Sequence, residues 1–178
     1  VLGGAGLPDI INSTGMIRNM EQTLIDLVTG DPACLRYIDR RIEVLLEMSE
    51  RCLEAARGGI DVLWMGEDLG TQLGPMISAD LYRRVIRPRH QRVIDLAKAY
   101  GIPAAIHSCG SSSWVFDQFI EIGISVVDTL QPEARDMAPA YLKARFGDRL
   151  VVDITVADDA REELMPSMLL QPLIENSI

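Results

Sequence analysis

The chain has 178 residues, 48% of them hydrophobic, and a formal net charge of −9 at pH 7. That length and apolar content suit one domain with a real core and exclude a disordered chain. No Lys/Arg block is present, which argues against nucleic-acid or anionic-membrane binding, and the apolar runs of about five residues are far too short to span a bilayer.

Met16 to Val28 is predicted as a helix with Ile17, Met20, Leu24, Leu27 and Val28 on one face and a stop at Gly30. Asp31-Pro32 opens a second helix, Asp as N-cap and Pro at the first position. Leu35, Ile38, Ile42, Leu45 and Met48 mark its buried face, and Gly58-Gly59 ends it. Ile60 to Met65 is the first strand, and Gly66 to Pro75 a turn-rich loop. Ser78 caps a helix from about Ala79 to Tyr100, which Pro88 should kink or divide. His90, amid Arg87, Arg89 and Arg92, is expected on a solvated face. Ile102 to Ile106 is the second strand. Trp114 to Ile122 is a helix with Val115, Phe116, Phe119 and Ile120 inward. Ile124 to Leu130 is the third strand, Pro139 to Phe146 a short helix, and Leu150 to Ile154 a fourth strand.

Strands alternating with helices mean βα units and a parallel sheet, and the spacing of the strand starts is that of a TIM barrel with one longer loop. The fold expectation is therefore α/β: a partial TIM (β/α)8 barrel over 1–155, preceded by two helices. A charged linker and helical tail follow over 156–178. No Gly-x-Gly-x-x-Gly follows a strand, and the serines after Gly110 lack a P-loop lysine. The start at Val1 and the end at Ile178, inside an apolar periodic segment, lead us to expect a piece of something longer. Cys34, Cys52 and Cys109 make no framework pattern. Their odd count favours a reducing compartment, the cytoplasm, with Cys34 and Cys52 as core thiols.

In a βα barrel, chemistry sits at the C-terminal strand ends. That rule selects Glu67 and Asp68 after the first strand, His107 and Cys109 after the second, and Gln131, Glu133 and Arg135 after the third. His107 and Cys109, two apart at a strand end, point the same way, and imidazole plus thiolate suits zinc. Glu67 and Asp68 are the candidate catalytic carboxylates. Gln72, Gln131, Glu133 and Arg135 are the candidate substrate contacts. Asp128, inside an apolar strand, is expected to bond neighbouring backbone, and Trp64 and Trp114 to serve packing.

Gly66-Glu67-Asp68-Leu69-Gly70-Thr71-Gln72, Gly74-Pro75-Met76-Ile77-Ser78, Tyr82-Arg83-Arg84-Val85-Ile86-Arg87-Pro88, His107-Ser108-Cys109-Gly110 and Leu130-Gln131-Pro132-Glu133-Ala134 occur in this order. Together they resemble the uroporphyrinogen decarboxylase superfamily over roughly residues 1 to 150. The resemblance implies a TIM barrel. It also implies one of two chemistries: cofactor-free lyases of porphyrin biosynthesis acting on tetrapyrroles, or corrinoid and coenzyme M methyltransferases that activate a thiol with zinc. The chain looks more like the methyltransferase branch, whose zinc-binding His-x-Cys pair matches His107 and Cys109. Glu67 would then be a further ligand or an orienting carboxylate. A small-molecule thiol would be the acceptor, and a corrinoid partner protein could carry the methyl donor. That branch takes its third ligand from a later Cys, and none follows Cys109. The decarboxylases take a catalytic Asp from an N-terminal strand, and the sequence pattern marks no strand before Met16. A poly-carboxylate substrate also calls for several arginines, and Arg135 alone qualifies among the strand-end positions.

Met165 to Asn176 resembles the N-box of a sensor histidine kinase, which makes Asn176 a candidate nucleotide contact; Ala144 to Leu150 fits both families. The phosphoacceptor His and the glycine-rich lid motifs are missing, so no kinase activity is expected. Two rival expectations stand beside zinc-assisted methyl transfer: tetrapyrrole decarboxylation without metal, and an inactive fragment or fusion with a kinase-like tail. An open partial barrel leaves sheet edges unpaired, so self-association is expected as well.

Overall fold

The computed structural model describes residues 1–147. Four parallel strands form one sheet in the order β1-β2-β3-β4: β1 is Leu2–Pro8, β2 Leu63–Gly66, β3 Ala104–His107 and β4 Ile124–Asp128. β1 is a strand that the sequence pattern does not mark. Its glycines carry no β-propensity, but Gly3 lies so close to β2 that a Cβ there would sit 1.9 Å from the Trp64 carbonyl oxygen. Only a residue without a side chain lets the two backbones pair.

The predicted first helix is two. α1 (Ile10–Arg18) and α2 (Met20–Thr29) meet at Asn19, whose φ of 77° breaks the helix and whose side chain caps α2. The expected buried face fails with it. Leu27 is buried and Leu24 packs against the core, but Ile17, before the break, and Val28, next to Leu27 on α2, are 71% and 63% exposed. α3 (Pro32–Ala56) begins as predicted: Asp31 Oδ1 accepts from the amides of Ala33 and Cys34, and Pro32 opens the first turn. Cys34, Ile38 and Ile42 of α3 are buried, whereas Cys52 and Met48 are exposed; Cys52 is thus not a core thiol.

α4 (Ala79–Leu81) leads into a π-helical turn, Tyr82–Ile86, and then α5 (Arg87–Ala99). The break expected at Pro88 is thus a change of hydrogen-bond period ahead of it: Arg87 N–H bonds the Tyr82 carbonyl, five residues back. A 3-10 turn, Ser113–Val115, precedes α6 (Phe116–Ile122), and α7 spans Pro139–Phe146. In α6, Phe116 and Phe119 face inward as expected, while Ile120 is 46% exposed.

Leu63, Met65, Ala104, Ile106 and Ile124 join one core with Ile38 and Ile42 of α3, Val93 and Ile94 of α5, and Phe119 of α6. These strand residues share one face of the sheet, so the helices of the core cover that face. The alternate positions Trp64, Ala105 and Val126 are in register with one another on the other face. Gly66, His107 and Asp128 continue that row at the C-terminal rim. Among the described residues no helix is long and apolar enough to cross a membrane. The fourth strand expected over 150–154, the charged linker, and the tail with Asn176 lie outside the described residues.

Candidate metal centre

The residues after β2 divide by strand parity. Glu67 follows Met65 toward the helices, and Asp68 follows Gly66 toward the row that carries His107. Glu67 is completely buried; its Oε2 and Oε1 accept from the Ile10 and Ile11 amides at the start of α1, each at 2.9 Å. A carboxylate is well placed there, since a helix N-terminus presents bare N–H groups and the positive end of its dipole. His90 Nε2 lies 3.2 Å from Glu67 Oε2, and its Nδ1 lies 3.3 Å from the Tyr82 hydroxyl. One tautomer satisfies both: Nε2–H donates to the carboxylate and the Tyr82 O–H donates to Nδ1. Burial, then the Glu67 charge, push the Tyr82 phenol above its ordinary range. His90 is therefore a buried linker between β2 and α5, not a solvated residue. Glu67, read from the sequence as catalytic or ligating, ties α1 to β2 with both oxygens engaged.

Asp68 turns the other way. Its Oδ1 accepts from the Cys109 amide at 2.8 Å and its Oδ2 from Asn12 Nδ2 at 3.1 Å. Asn12 Nδ2 also donates to Asp9 Oδ2, so β1, β2 and β3 meet at one point of the rim. His107 Nε2 stands 3.2 Å from Cys109 Sγ and 3.8 Å from Asp68 Oδ1. Asp68, His107 and Cys109 offer an oxygen, a nitrogen and a sulfur that all lie within 4.8 Å of one another. Ligands held at zinc bond lengths in a tetrahedron are roughly 3.3–3.8 Å apart, so the 3.2 Å and 3.8 Å separations need shifts of only a few tenths of an ångström to reach it. All three residues are partly exposed, which leaves an approach from solvent.

The other edge of His107 faces β4. Its Nδ1 is 3.3 Å from Asp128 Oδ1, 3.4 Å from Oδ2 and 2.9 Å from Thr129 Oγ1. Asp128 thus meets an imidazole, not the neighbouring backbone. Without a metal, Cys109, His107 and Asp128 stand as thiol, base and orienting carboxylate. A second carboxylate, Asp68, lies on the opposite edge of the ring, 3.8 Å from Nε2, and the two acids with the thiol beside that edge favour a cation between Asp68, His107 and Cys109.

The remaining candidates brace the rim. Gln131 Oε1 accepts from the Gly110 amide at 2.7 Å and from Gln72 Nε2 at 3.1 Å. The Arg135 amide donates to the Gln72 carbonyl, and its guanidinium reaches the Leu73 carbonyl at 3.5 Å. Gln72 and Gln131 therefore join the loops after β2, β3 and β4, while Glu133 and Arg135 are exposed beside them. Sequence reasoning passed over Asp9, Asn12, Tyr82 and Thr129. It had a signal for His90, which repeats the apolar spacing of Ile86, Val93, Ile94 and Ala97, all buried. A hollow of about 330 Å³ between Ile10 and the Tyr37–Met48 face of α3 is apolar and includes none of the cluster.

No family model matches the chain, and neither the curated proteins nor the solved structures searched contain a match to it.

Proposed function

We propose that the chain is part of a (β/α)8 barrel of the uroporphyrinogen decarboxylase superfamily, from its methyltransferase-like branch, and that its rim serves zinc-assisted methyl transfer to a small-molecule thiol. The convergence of Asp68, His107 and Cys109 from two adjacent strand ends carries this reading. Sequential strand order supports the barrel: doubly wound sheets reverse direction at a switch point and take helices on both faces, whereas here the core helices share one face. Of the motifs that resemble the superfamily, three bring polar residues to this rim: Asp68 and Gln72, His107 and Cys109, and Gln131.

One carboxylate, one imidazole and one thiolate suit zinc better than calcium or magnesium, which prefer oxygen alone. Asp68 offers a third donor beside the His-x-Cys pair. Three protein donors and an open side describe a catalytic rather than a structural zinc site. Zinc held there would lower the pKa of a thiol taken at the open position, so that a thiolate is available at neutral pH. The chain's own part is to hold the donors, through the Cys109 amide on Asp68 and the Gln131 brace on Gly110. A methyl donor carried on a corrinoid partner, and a cytoplasmic setting that keeps thiols reduced, complete the proposal. Metal-free tetrapyrrole decarboxylation is less favoured, because a poly-carboxylate substrate would meet Asp68 and Asp128 instead of a cationic pocket.

Metal analysis after purification in zinc-containing medium tests the reading. We expect about one equivalent of zinc in the wild type and loss of most of it in His107→Ala and Cys109→Ser, with Asp68→Asn weakened by about 10- to 100-fold in affinity. A wild-type chain that neither retains zinc nor binds cobalt(II) would sink it.

A further inference from the structure

Thr129 has φ 59°, the left-handed region, which a β-branched residue adopts only under strain. Its neighbour Asp128 ends β4 and is in register with His107. In an extended strand, residues 128 and 129 would point to opposite faces. The left-handed turn instead brings Thr129 Oγ1 to 2.9 Å from the same His107 Nδ1 that Asp128 faces at 3.3 Å. Thr129 Oγ1 also lies 3.3 Å from Asp128 Oδ2, so its hydroxyl hydrogen has an acceptor and its lone pairs remain for His107.

We infer that Asp128 and Thr129 are a positioning pair that holds His107 as its Nδ1–H tautomer, keeping the Nε2 lone pair aimed at the space between Cys109 Sγ and Asp68. The contacts on the Nδ1 side favour this orientation. The Asp128 carboxylate only accepts and also offers the Thr129 hydroxyl an acceptor for its own proton, so a proton on Nδ1 serves both contacts at once. Nε2 is then the unprotonated nitrogen, the form a metal needs. The backbone strain at Thr129 is the observation that a purely structural turn leaves unexplained, since a glycine or asparagine would make that turn more easily. The use of the lone pair rests on the metal reading; the tautomer is a property of the metal-free chain.

Nitrogen-15 NMR of the histidine-labelled, chelator-treated chain, at a pH where the rings are neutral, reads the tautomer directly. Only His90 and His107 contribute, and His107→Ala assigns them. We expect Nδ1–H at His107 in the wild type and in Thr129→Ser, which keeps the hydroxyl. Thr129→Val and Asp128→Asn should shift it toward Nε2–H. Cobalt(II) titration should show affinity about 10- to 100-fold weaker in Asp128→Asn and unchanged in Thr129→Ser. Thr129→Gly should melt higher than wild type yet lose the tautomer preference, a pairing that a structural role would not give. An Nε2–H wild type, or variants that leave tautomer and affinity unmoved, overturns the inference. An Nδ1–H wild type that shifts in the variants but binds no cobalt(II) upholds the positioning pair and overturns the metal reading alone.

Discussion

Asp9 follows β1 directly and caps α1, with Oδ1 accepting from the Asn12 amide at 3.0 Å. Burial first, and the Glu67 charge second, push its carboxyl up from 3.8 to about 6. An acid whose pKa is raised by folding favours its protonated form in the folded state. Its contribution to stability is therefore complete below the unfolded value and is lost as pH rises through about 6. Urea midpoints measured from about pH 4 to pH 7 should fall across that window, and Asp9→Asn should flatten the slope and gain on the order of 1–3 kcal/mol at neutral pH. Asn keeps an oxygen for the cap, so a variant that is less stable at every pH would show that the charge is not the strained element. At this scale the sequence was legible where parity or periodicity acts alone. His107 and Cys109 share a direction as alternation requires, and Asp31 caps α3. Glu67 and Asp68 were not separable, because adjacent acids after a strand look alike until the faces of the sheet are known. Asp128 needed the β3–β4 register, which no local pattern contains.

The loops after β2 and β3 touch through two glycines. A Cβ on Gly110, whose φ is 72°, would meet the Gly70 carbonyl oxygen at 2.4 Å, and one on Gly70 would meet the Ser111 amide nitrogen at 2.4 Å. Neither clash involves a flexible side chain, so backbone must move. Gly110→Ala should cost on the order of 2–4 kcal/mol. It should also part Cys109 from Asp68, since the Ser111 amide bonds the Thr71 carbonyl at 2.8 Å across the same contact. Denaturant unfolding together with cobalt(II) binding checks both effects; an unchanged midpoint would show that the loops give way at little cost. Element prediction succeeded where a helix carried its own caps, as in α3, and failed where a second element supplied the reason. β1 is a strand because Gly3 admits the β2 backbone, not because its residues favour extension. The split of the first helix depends on one residue, Asn19, that a periodicity window averages away. The π-turn before Pro88 keeps Tyr82 and His90 on one buried side, a phase shift that apolar spacing alone does not reveal.

At the scale of the whole molecule, parallel strands in sequential order have one covered face and, among the described residues, two outer strands paired on one side only. The alternation of βα units made the parallel sheet legible from the sequence; the placement of its faces and edges required long-range pairing. The two edges differ in physical character. β1 ends in Pro8, which has no N–H to donate, and its register with β2 is broken between Gly3 and Pro8. β4 holds five residues without proline, and Val126 is 49% exposed on the face opposite the core helices. An outer strand with free backbone groups and an exposed apolar residue is the one that recruits another chain. Sedimentation equilibrium should therefore show an average mass that rises with concentration. Val126→Lys places a charge on that strand and should weaken the association on the order of tenfold, whereas a lysine on α1 in place of Met16, 87% exposed and far from β4 in the chain, should leave it unchanged. A wild-type chain that stays monomeric across the concentration range would mean that β4 is covered within its own chain, and the rim at Asp128 would then have to be accessible from the open face alone.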